Sequence, residues 1–231
     1  MKLKHLVIFI SIVSPSFSTA QSITGLSGLV SIPTAEINGD GRLTVGVSFL
    51  HKDYVKLYGE NYHGLATYIN FSFLPFMEFG LRLTRLIDYP DRQALGDRMP
   101  TIRVRLFEEG EIIPAVLFGA HDFIRTSENK SSYNTATYLV MTKNIELFSE
   151  DYMLKVILGH GLKLLESSGY QFEKLFYGVS LRMLNHLELM IENDSRNTNA
   201  GVRLSIFNLS ATVGLMSLKN ISGTINYTIQ L

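Results

Sequence analysis

The segment Ile221–Leu231 reads ISGTINYTIQL and alternates apolar with polar side chains up to the last residue. Because successive side chains of a β-strand point to opposite faces, this pattern predicts a strand with one apolar and one polar environment. Outer-membrane barrels are commonly recognised for insertion by a final strand of this kind. The segment therefore favours a membrane barrel over a soluble fold.

The same alternation recurs along most of the chain. Leu43, Val45, Val47 and Phe49 oppose Thr44, Gly46 and Ser48, and comparable sets occur in segments beginning near residues 64, 78, 101, 176, 187 and 199. The segments Ile112–Ala120, Asn134–Thr142 and Tyr152–Gly161 are apolar on both faces, so their registers stay open. We predict an all-β fold: an antiparallel up-and-down transmembrane β-barrel of about 12 strands.

Loop lengths also alternate between the predicted strands. Longer polar stretches follow odd strands, and tight turns follow even strands. The long set is Lys52–Asn61, Asp88–Met99, Arg125–Tyr133 and Lys163–Glu173, and the short set is Leu74–Phe76, Glu108–Gly110, Asn185-His186 and Phe207–Leu209. Outer-membrane barrels have short periplasmic turns and longer outer loops, so both termini are expected on the periplasmic side.

The beginning of the chain has the features of a secretory signal peptide. Lys2 and Lys4 precede the apolar stretch Leu6–Val13, and Ser18-Thr19-Ala20 provides a small-residue cleavage site. We predict a signal peptide at 1–20, an irregular lead-in or plug at 21–41, and an outer-membrane barrel at 42–231. Pro33 and the glycines of the second segment disfavour a regular strand there. The expected location is the outer membrane of a Gram-negative cell.

Composition excludes several other classes. Without the two leader lysines, 19 basic residues face 21 acidic ones, so there is no basic excess to bind nucleic acid. The sequence contains no cysteine, which excludes disulfides, thiolate metal sites and cysteine nucleophiles. No cofactor is expected. The expected partners are outer-membrane lipid, a polysaccharide, and periplasmic export or assembly proteins.

Charged residues occupy the predicted inner face of several strands. The lumen-facing candidates are Arg82, Arg103, Arg105, Arg182, Glu188, Glu192 and Arg203. Arg182, Glu188 and Arg203 lie on three successive strands, where cross-strand pairing follows if their heights match. Arg82, Arg103 and Arg105 form a second, basic group. Two roles remain open for these residues: mutual neutralisation that fills the lumen, or a surface that selects solutes.

Catalytic and metal-binding patterns are weak. His121 and Asp122 precede a loop with several serines, a combination that nucleophilic catalysis uses. Neighbouring strand residues point to opposite faces, however, so the two side chains are not expected to pair. His51, His63, His160 and His186 are scattered, with no metal-binding spacing on one element. We expect no enzyme and no metal site.

Three stretches of the sequence contain short, recognisable motifs. The first is GLSGLVSIPTA at 25–35 followed by NGDG at 38–41, and its motif residues are Gly28, Pro33, Ala35, Asp40 and Gly41. The second, PAVLFGAHDF at 114–123, contributes Gly119, Asp122 and Phe123. The third is END at 192–194 with NAG at 199–201, contributing Asp194 and Gly201, although Asn193 replaces a usual aromatic residue.

Together these stretches resemble the YjbH family of bacterial exopolysaccharide proteins. The resemblance implies an outer-membrane barrel associated with making or exporting an extracellular polysaccharide. Many family members are several times longer, and this chain matches a single short unit. Our leading hypothesis is therefore a non-enzymatic, outer-membrane accessory in exopolysaccharide or capsule production or export. The alternatives are a small diffusion porin, an outer-membrane hydrolase of lipid or sugar, and a soluble periplasmic β-protein.

Overall fold

The protein is described by a computed structural model that covers residues 21–57, 60–89, 95–124, 134–167 and 169–231. The predicted signal peptide and the predicted loop Arg125–Tyr133 lie outside the described residues. Fourteen strands and one short 3-10 helix, Lys52–Tyr54, make up the described elements. The strands are β1 (Arg42–Leu50), β2 (Lys56–Leu57), β3 (Glu60–Asn61), β4 (Gly64–Leu74), β5 (Met77–Leu86), β6 (Leu95–Phe107), β7 (Ala115–His121), β8 (Ala136–Glu146), β9 (Tyr152–Gly161), β10 (Leu175–Met183), β11 (Leu187–Asn193), β12 (Thr198–Ile206), β13 (Leu209–Met216) and β14 (Asn220–Gln230).

Twelve of these strands form one closed antiparallel barrel. Each pairs with the barrel strands before and after it in the chain, and β1 pairs with β14 to close the cylinder. That closing register runs from Arg42 opposite Gln230 to Phe49 opposite Gly223, which leaves no free sheet edge in the barrel. The predicted all-β, up-and-down barrel of about 12 strands is confirmed. Strands β2 and β3 form a separate small hairpin between β1 and β4.

The outer surface of the barrel is an apolar band. Alternate residues of the strands are exposed and hydrophobic, as predicted, and examples from β1, β4, β12, β13 and β14 are Val47, Ile69, Val202, Val213 and Ile225. Their chain neighbours on the other face are buried and mostly polar or small. We find no helix in the described ranges with the length and apolar character needed to cross a bilayer.

The two ends of the barrel differ in their connections. The turn end, where β1 begins and β14 ends, has links of two or three residues after β4, β10 and β12. The loop end, opposite, has the long links after β1, β5, β7 and β9. The predicted alternation is uneven, because the loop-end links after β11 and β13 have only four and three residues. The turn-end link after β6 is also longer than predicted, at residues 108–114.

Several predicted strand limits need correction. Strands β1 and β9 begin and end at the predicted residues, but β6 starts at Leu95 inside the predicted loop Asp88–Met99. Strand β7 starts at Ala115 rather than Ile112, and β8 runs from Ala136 to Glu146 rather than from Asn134 to Thr142. Short-range pattern does not fix these limits, because pairing with the neighbouring strand extends or ends a ladder regardless of local composition.

The apolar inner faces of β7 to β9 have a specific cause. Phe172, from the link between β9 and β10, folds inside the barrel and packs against Tyr138 of β8 and Phe176 of β10. The ring centroids of Phe172 and Phe176 are 4.5 Å apart, and all three rings are buried. An aromatic cluster therefore fills one side of the lumen, so this sector needs apolar residues on both faces.

Candidate functional site

The interior of the barrel contains the chain segment that precedes β1. Residues 21–38, called here the inner segment, are buried except for the half-buried Glu36. The segment is irregular, with two isolated bridges joining Gln21 to Ser27 and Gly28 to Pro33. It contacts polar side chains of β4, β5, β6, β8, β9, β11 and β12, so it lies within the cylinder.

Glu192 of β11 binds the tip of the inner segment. Its carboxylate accepts hydrogen bonds from the backbone N–H groups of Val30 (2.9 Å), Ser31 (2.8 Å) and Ile32 (3.4 Å). It also accepts from the Ser31 hydroxyl at 2.5 Å and from the Asn199 amide at 3.0 Å. Because Glu192 lies next to the last residue of β11, the tip is close to the loop end.

Arg203 of β12 binds the same segment through its backbone carbonyls instead of its N–H groups. Its guanidinium donates to the backbone carbonyls of Gly28 (2.7 Å), Leu29 (2.8 Å) and Gln21 (3.2 Å). Glu188 of β11 neutralises it, with Nη1 and Oε2 2.7 Å apart. A buried cation therefore has both a counter-charge and several acceptors, which is the condition for its burial.

Arg103 of β6 holds the part of the inner segment that returns to the turn end. It forms a fully buried ion pair with Glu78 at 3.0 Å and donates to the carbonyls of Thr34 and Glu36. Glu36 in turn forms an ion pair with Lys155 of β9 at 2.7 Å. The inner segment thus reaches the loop end at its tip and leaves at the turn end.

These contacts solve a general problem of irregular buried chain. A segment without ladder pairing leaves backbone donors and acceptors that must find partners inside the barrel. Here carboxylates of the barrel wall accept hydrogen bonds from the backbone N–H groups of the segment. Guanidinium groups of the wall donate hydrogen bonds to its backbone carbonyls. The result is a charge-assisted set of bonds, which are stronger than neutral ones.

Small wall residues let the inner segment approach closely. A side chain at Gly201 would begin 2.6 Å from Val30 Cγ2, and one at Gly178 would begin 2.8 Å from Leu29 Cδ1. Gly214 likewise faces Val30. These strand glycines relieve crowding against the inner segment, just as Gly119 and Gly159 make room for the rings of Tyr138 and Phe176.

The predicted lumen residues divide into two groups. Five are buried on the inner face: Arg82, Arg103, Glu188, Glu192 and Arg203. Arg105 lies instead at the turn end, where it donates to the Pro75 carbonyl and pairs with Glu108 at 3.1 Å. Arg182 is half-buried and sits in register with Glu188. The predicted basic group is corrected in two respects, because Arg103 is neutralised by Glu78 and Arg105 is paired with Glu108 at the turn end.

Other residues of the site were not singled out from the sequence. Glu78, Thr142 and Asn199 all contact the inner segment, through Ser27, Ala35 and Ser31 respectively. Inward placement by alternation was the available signal for Glu78. Nothing local in the sequence identifies the partner, because each bond joins residues at least 51 positions apart.

The motif residues near the inner segment have structural roles. Gly28 lies against the Ile32 carbonyl, and its bridge to Pro33 shapes the tip. The Ala35 amide donates to Thr142 at 2.8 Å. Asp40 stands between Gly39 and Gly41, whose positive φ values of 87° and 65° form the turn into β1.

The third motif forms a polar network at the loop end. Asp194 accepts hydrogen bonds from the amides of Arg196 and Asn197, from Asn199, and from the Tyr54 hydroxyl at 3.0 Å. Burial, and then the charge of Asp194, raise the pKa of Tyr54 well above its usual value, so Tyr54 stays a donor. This network ties the 51–63 link to the residues that hold the tip.

The two residues considered for catalysis, His121 and Asp122, have different hydrogen-bond partners. His121 contacts Tyr138 and Gln171 at 3.0 and 3.1 Å, whereas Asp122 accepts from Thr135 at 3.2 Å. Phe123 is exposed beside them. The loop serines lie outside the described residues.

His51 and His63, expected to be scattered, have ring centroids 5.1 Å apart at the loop end. The described ranges contain no group of three metal-binding side chains.

Fold and interior together define a class: a closed 12-stranded barrel with an apolar exterior and a lumen occupied by its own N-terminal segment. A family model described as "Exopolysaccharide biosynthesis protein YbjH" matches residues 20–180. This is more than half of the chain, so the protein belongs to the YjbH exopolysaccharide biosynthesis family. No curated protein matches the sequence. The motif at 192–201 lies beyond the matched residues, and its family role stays a prediction.

Proposed function

We propose that this protein is a non-catalytic accessory of the bacterial outer membrane that serves exopolysaccharide or capsule production or export. Family membership supports the link to polysaccharide. The closed barrel with its apolar exterior supports the membrane location. In lipid every backbone polar group must be paired within the protein, and a closed barrel meets that condition.

The apolar band supports insertion on energetic grounds. Exposed side chains such as Phe49, Leu81, Val179 and Ile191 lie on the outer face of separate strands around the cylinder. Soluble proteins rarely expose contiguous apolar surface of this extent. Transfer of such surface from water to hydrocarbon is favourable at roughly 25 cal/mol per Å².

The occupied lumen is the observation that carries the accessory role. Glu192, Arg203 and Arg103 bind the inner segment through buried, charge-assisted bonds. Release of the segment would remove the backbone N–H groups that bind Glu192 and the carbonyls that accept from Arg203 and Arg103, and loss of such bonds to buried charges is costly. The barrel interior therefore serves to hold the segment rather than to pass solutes.

A deletion strain tests this function. We expect less extracellular polysaccharide than in the parent, measured by uronic acid and total hexose assays, and full recovery when the intact gene is returned. The protein should fractionate with the outer membrane and require detergent for extraction. Unchanged polysaccharide output in the deletion strain contradicts the proposal.

The diffusion porin is the second candidate, and its test is electrical. We expect purified protein in planar bilayers to show no steady conductance, because the inner segment fills the lumen. Steady conductance whose ion selectivity changes in Arg103→Ala would favour the porin instead. A hydrolase would be favoured by an activity of purified protein that His121→Ala abolishes.

A further inference from the structure

Two neighbouring turns at the turn end differ from the rest of that rim. The link between β6 and β7 has seven residues and the link between β8 and β9 has five, whereas the other three links have two or three. The β6–β7 turn contacts the strand that leads into the β8–β9 turn, because Nζ of Lys143 in β8 lies 2.6 Å from the Gly110 carbonyl and 3.1 Å from Glu109. We call residues 108–114 and 146–151 the rim patch.

The rim patch projects bulky apolar side chains into solvent. Ile112 is 89% exposed and Phe148 is 91% exposed, with Ile113 beside them. The backbone around them is held in place: the Gly110 amide donates to the Ile113 carbonyl at 3.0 Å, and Glu109 accepts from the Asn144 amide at 2.7 Å. A fixed turn with exposed apolar tips is preorganised for contact, which lowers the entropy cost of binding.

The rim patch is also rich in carboxylates. The rim patch contains Glu108, Glu109, Glu111, Glu146, Glu150 and Asp151. Arg105 and Lys143, which lie close to these turns in the chain, are paired with Glu108 and Glu109. The surface therefore keeps a net negative charge around its apolar centre.

The shorter turns of the same rim provide an internal comparison. They read Pro-Phe at 75–76, Leu-Asn-His at 184–186 and Phe-Asn at 207–208, and none contains a carboxylate. Phe207 is 90% exposed, as Phe148 is. An apolar tip without charge suits a lipid interface, where aromatic residues are enriched. Apolar side chains in turns rich in carboxylates suit a protein surface instead, because complementary charge orients a partner.

We propose that the rim patch is a docking surface for a partner protein with a basic surface. On that surface, apolar side chains lie among Lys or Arg residues. Charge complementarity and the contrast with the shorter turns carry this choice. The proposal rests on the proposed function, in which the turn end faces the periplasm.

The rim patch is joined to the inner segment by one side chain. The amide of Asn144 donates to Glu109 Oε2 at 2.8 Å and to Glu36 Oε1 at 3.3 Å. Glu36 belongs to the inner segment, so Asn144 links the inner segment to Glu109 of the rim patch. The docking surface and the occupied lumen are therefore one connected structure.

Binding of a defined probe tests the surface directly. The probe is a fluorescent synthetic peptide of alternating Lys and Leu, added to the full chain in nanodiscs of zwitterionic lipid. We expect salt-sensitive binding that weakens by about tenfold or more in Glu146→Lys with Glu150→Lys, and in Ile112→Ser with Phe148→Ser. The matched controls are Phe207→Ser on a shorter turn and Glu173→Lys at the loop end, and both should bind as the parent does.

Equal binding by all variants, or by empty nanodiscs, overturns the proposal. So does an equal effect of changes at Phe148 and Phe207, which would assign both tips to lipid. The same variants expressed in the deletion strain separate the two proposals. We expect them to lower polysaccharide while their membrane level is unchanged. Full polysaccharide with the rim variants overturns the docking surface alone, whereas full polysaccharide in the deletion strain itself overturns the proposed function.

Discussion

Glu192 and Arg203 bind complementary backbone groups of the inner segment. The carboxylate of Glu192 faces three successive N–H groups, and the guanidinium of Arg203 faces carbonyls just before them. Each charged group is therefore used in place of the ladder partners that an irregular segment lacks. Their net effect on stability depends on all bonds being made, because a partly paired buried charge is costly.

At this scale we predict that Glu192→Gln destabilises the protein. The amide keeps the size of the side chain but loses the charge and replaces one acceptor oxygen with a donor. We expect the free energy of unfolding to fall by about 1.5–3 kcal/mol, the size expected for hydrogen bonds to charged groups. Urea titration in lipid vesicles, followed by tyrosine fluorescence, measures this change.

The control for this substitution is Glu173→Gln. Glu173 is also paired with an arginine, Arg196 at 2.7 Å, but both side chains are exposed. Exposed pairs contribute about 0–1 kcal/mol, so a small change is expected there. Equal losses at positions 173 and 192 would show that the buried carboxylate has no special role.

At the scale of elements, alternation predicted the barrel strands well where one face was lipid-like and the other polar. The limits of β1 followed from it directly. It failed for the inner faces of β7 and β8, because Phe172 reaches them from another part of the chain. The contents of the lumen were equally inaccessible, since Ser31 and Glu192 are 161 positions apart and no local pattern joins them.

The wall residues of the candidate site could therefore be predicted, but the groups that they bind could not. The period-two pattern selects inward residues such as Arg103 and Arg203, because it follows from strand geometry alone. What those residues bind depends on how the segment before β1 folds. Proline and glycine content showed that this segment is not a strand, and gave no information on its position.

A second prediction concerns the fit between the inner segment and β12. Gly201→Val places methyl groups against Val30 and Met190, so we expect a loss of about 1–3 kcal/mol in the free energy of unfolding from overpacking. Adding Val30→Ala should recover part of that loss if the two side chains compete for one space. The matched control is Gly110→Ala, where a Cβ meets nothing within 4 Å. A double variant no more stable than Gly201→Val alone would contradict the contact.

A third prediction concerns the link between β1 and β4. The Tyr54 hydroxyl bonds to Asp194 and Asn199, and its raised pKa keeps it protonated across the neutral and mildly alkaline range. We expect Tyr54→Phe to increase proteolytic cleavage within 51–63 several-fold, through the loss of about 1–2 kcal/mol of local stability. Global unfolding should change little. Tyr152→Phe, at the turn end, should leave the cleavage rate unchanged, and equal rates for all three proteins would contradict the anchoring role.

At the scale of the whole molecule, the barrel reverses the usual distribution of a soluble protein. Its exterior is apolar, and its interior contains ion pairs, hydroxyls and a polar-bonded segment. This arrangement suits hydrocarbon, because the apolar side chains contact lipid. In water they would have to be buried in a core. The absence of cysteine in the sequence allows single labels to be placed at will.

Accessibility of neighbouring positions on β13 and on β14 tests this central claim most directly. Spin labels on single cysteines replacing Val213 and Ile225, both outward, should respond to oxygen dissolved in the bilayer and be shielded from a water-soluble nickel complex. Labels replacing their inward neighbours, Thr212 and Thr224, should be shielded from both reagents, because the inner segment and wall side chains fill the lumen. Equal accessibility of neighbouring positions, or outward labels reached from water, would contradict a lipid-facing, filled barrel.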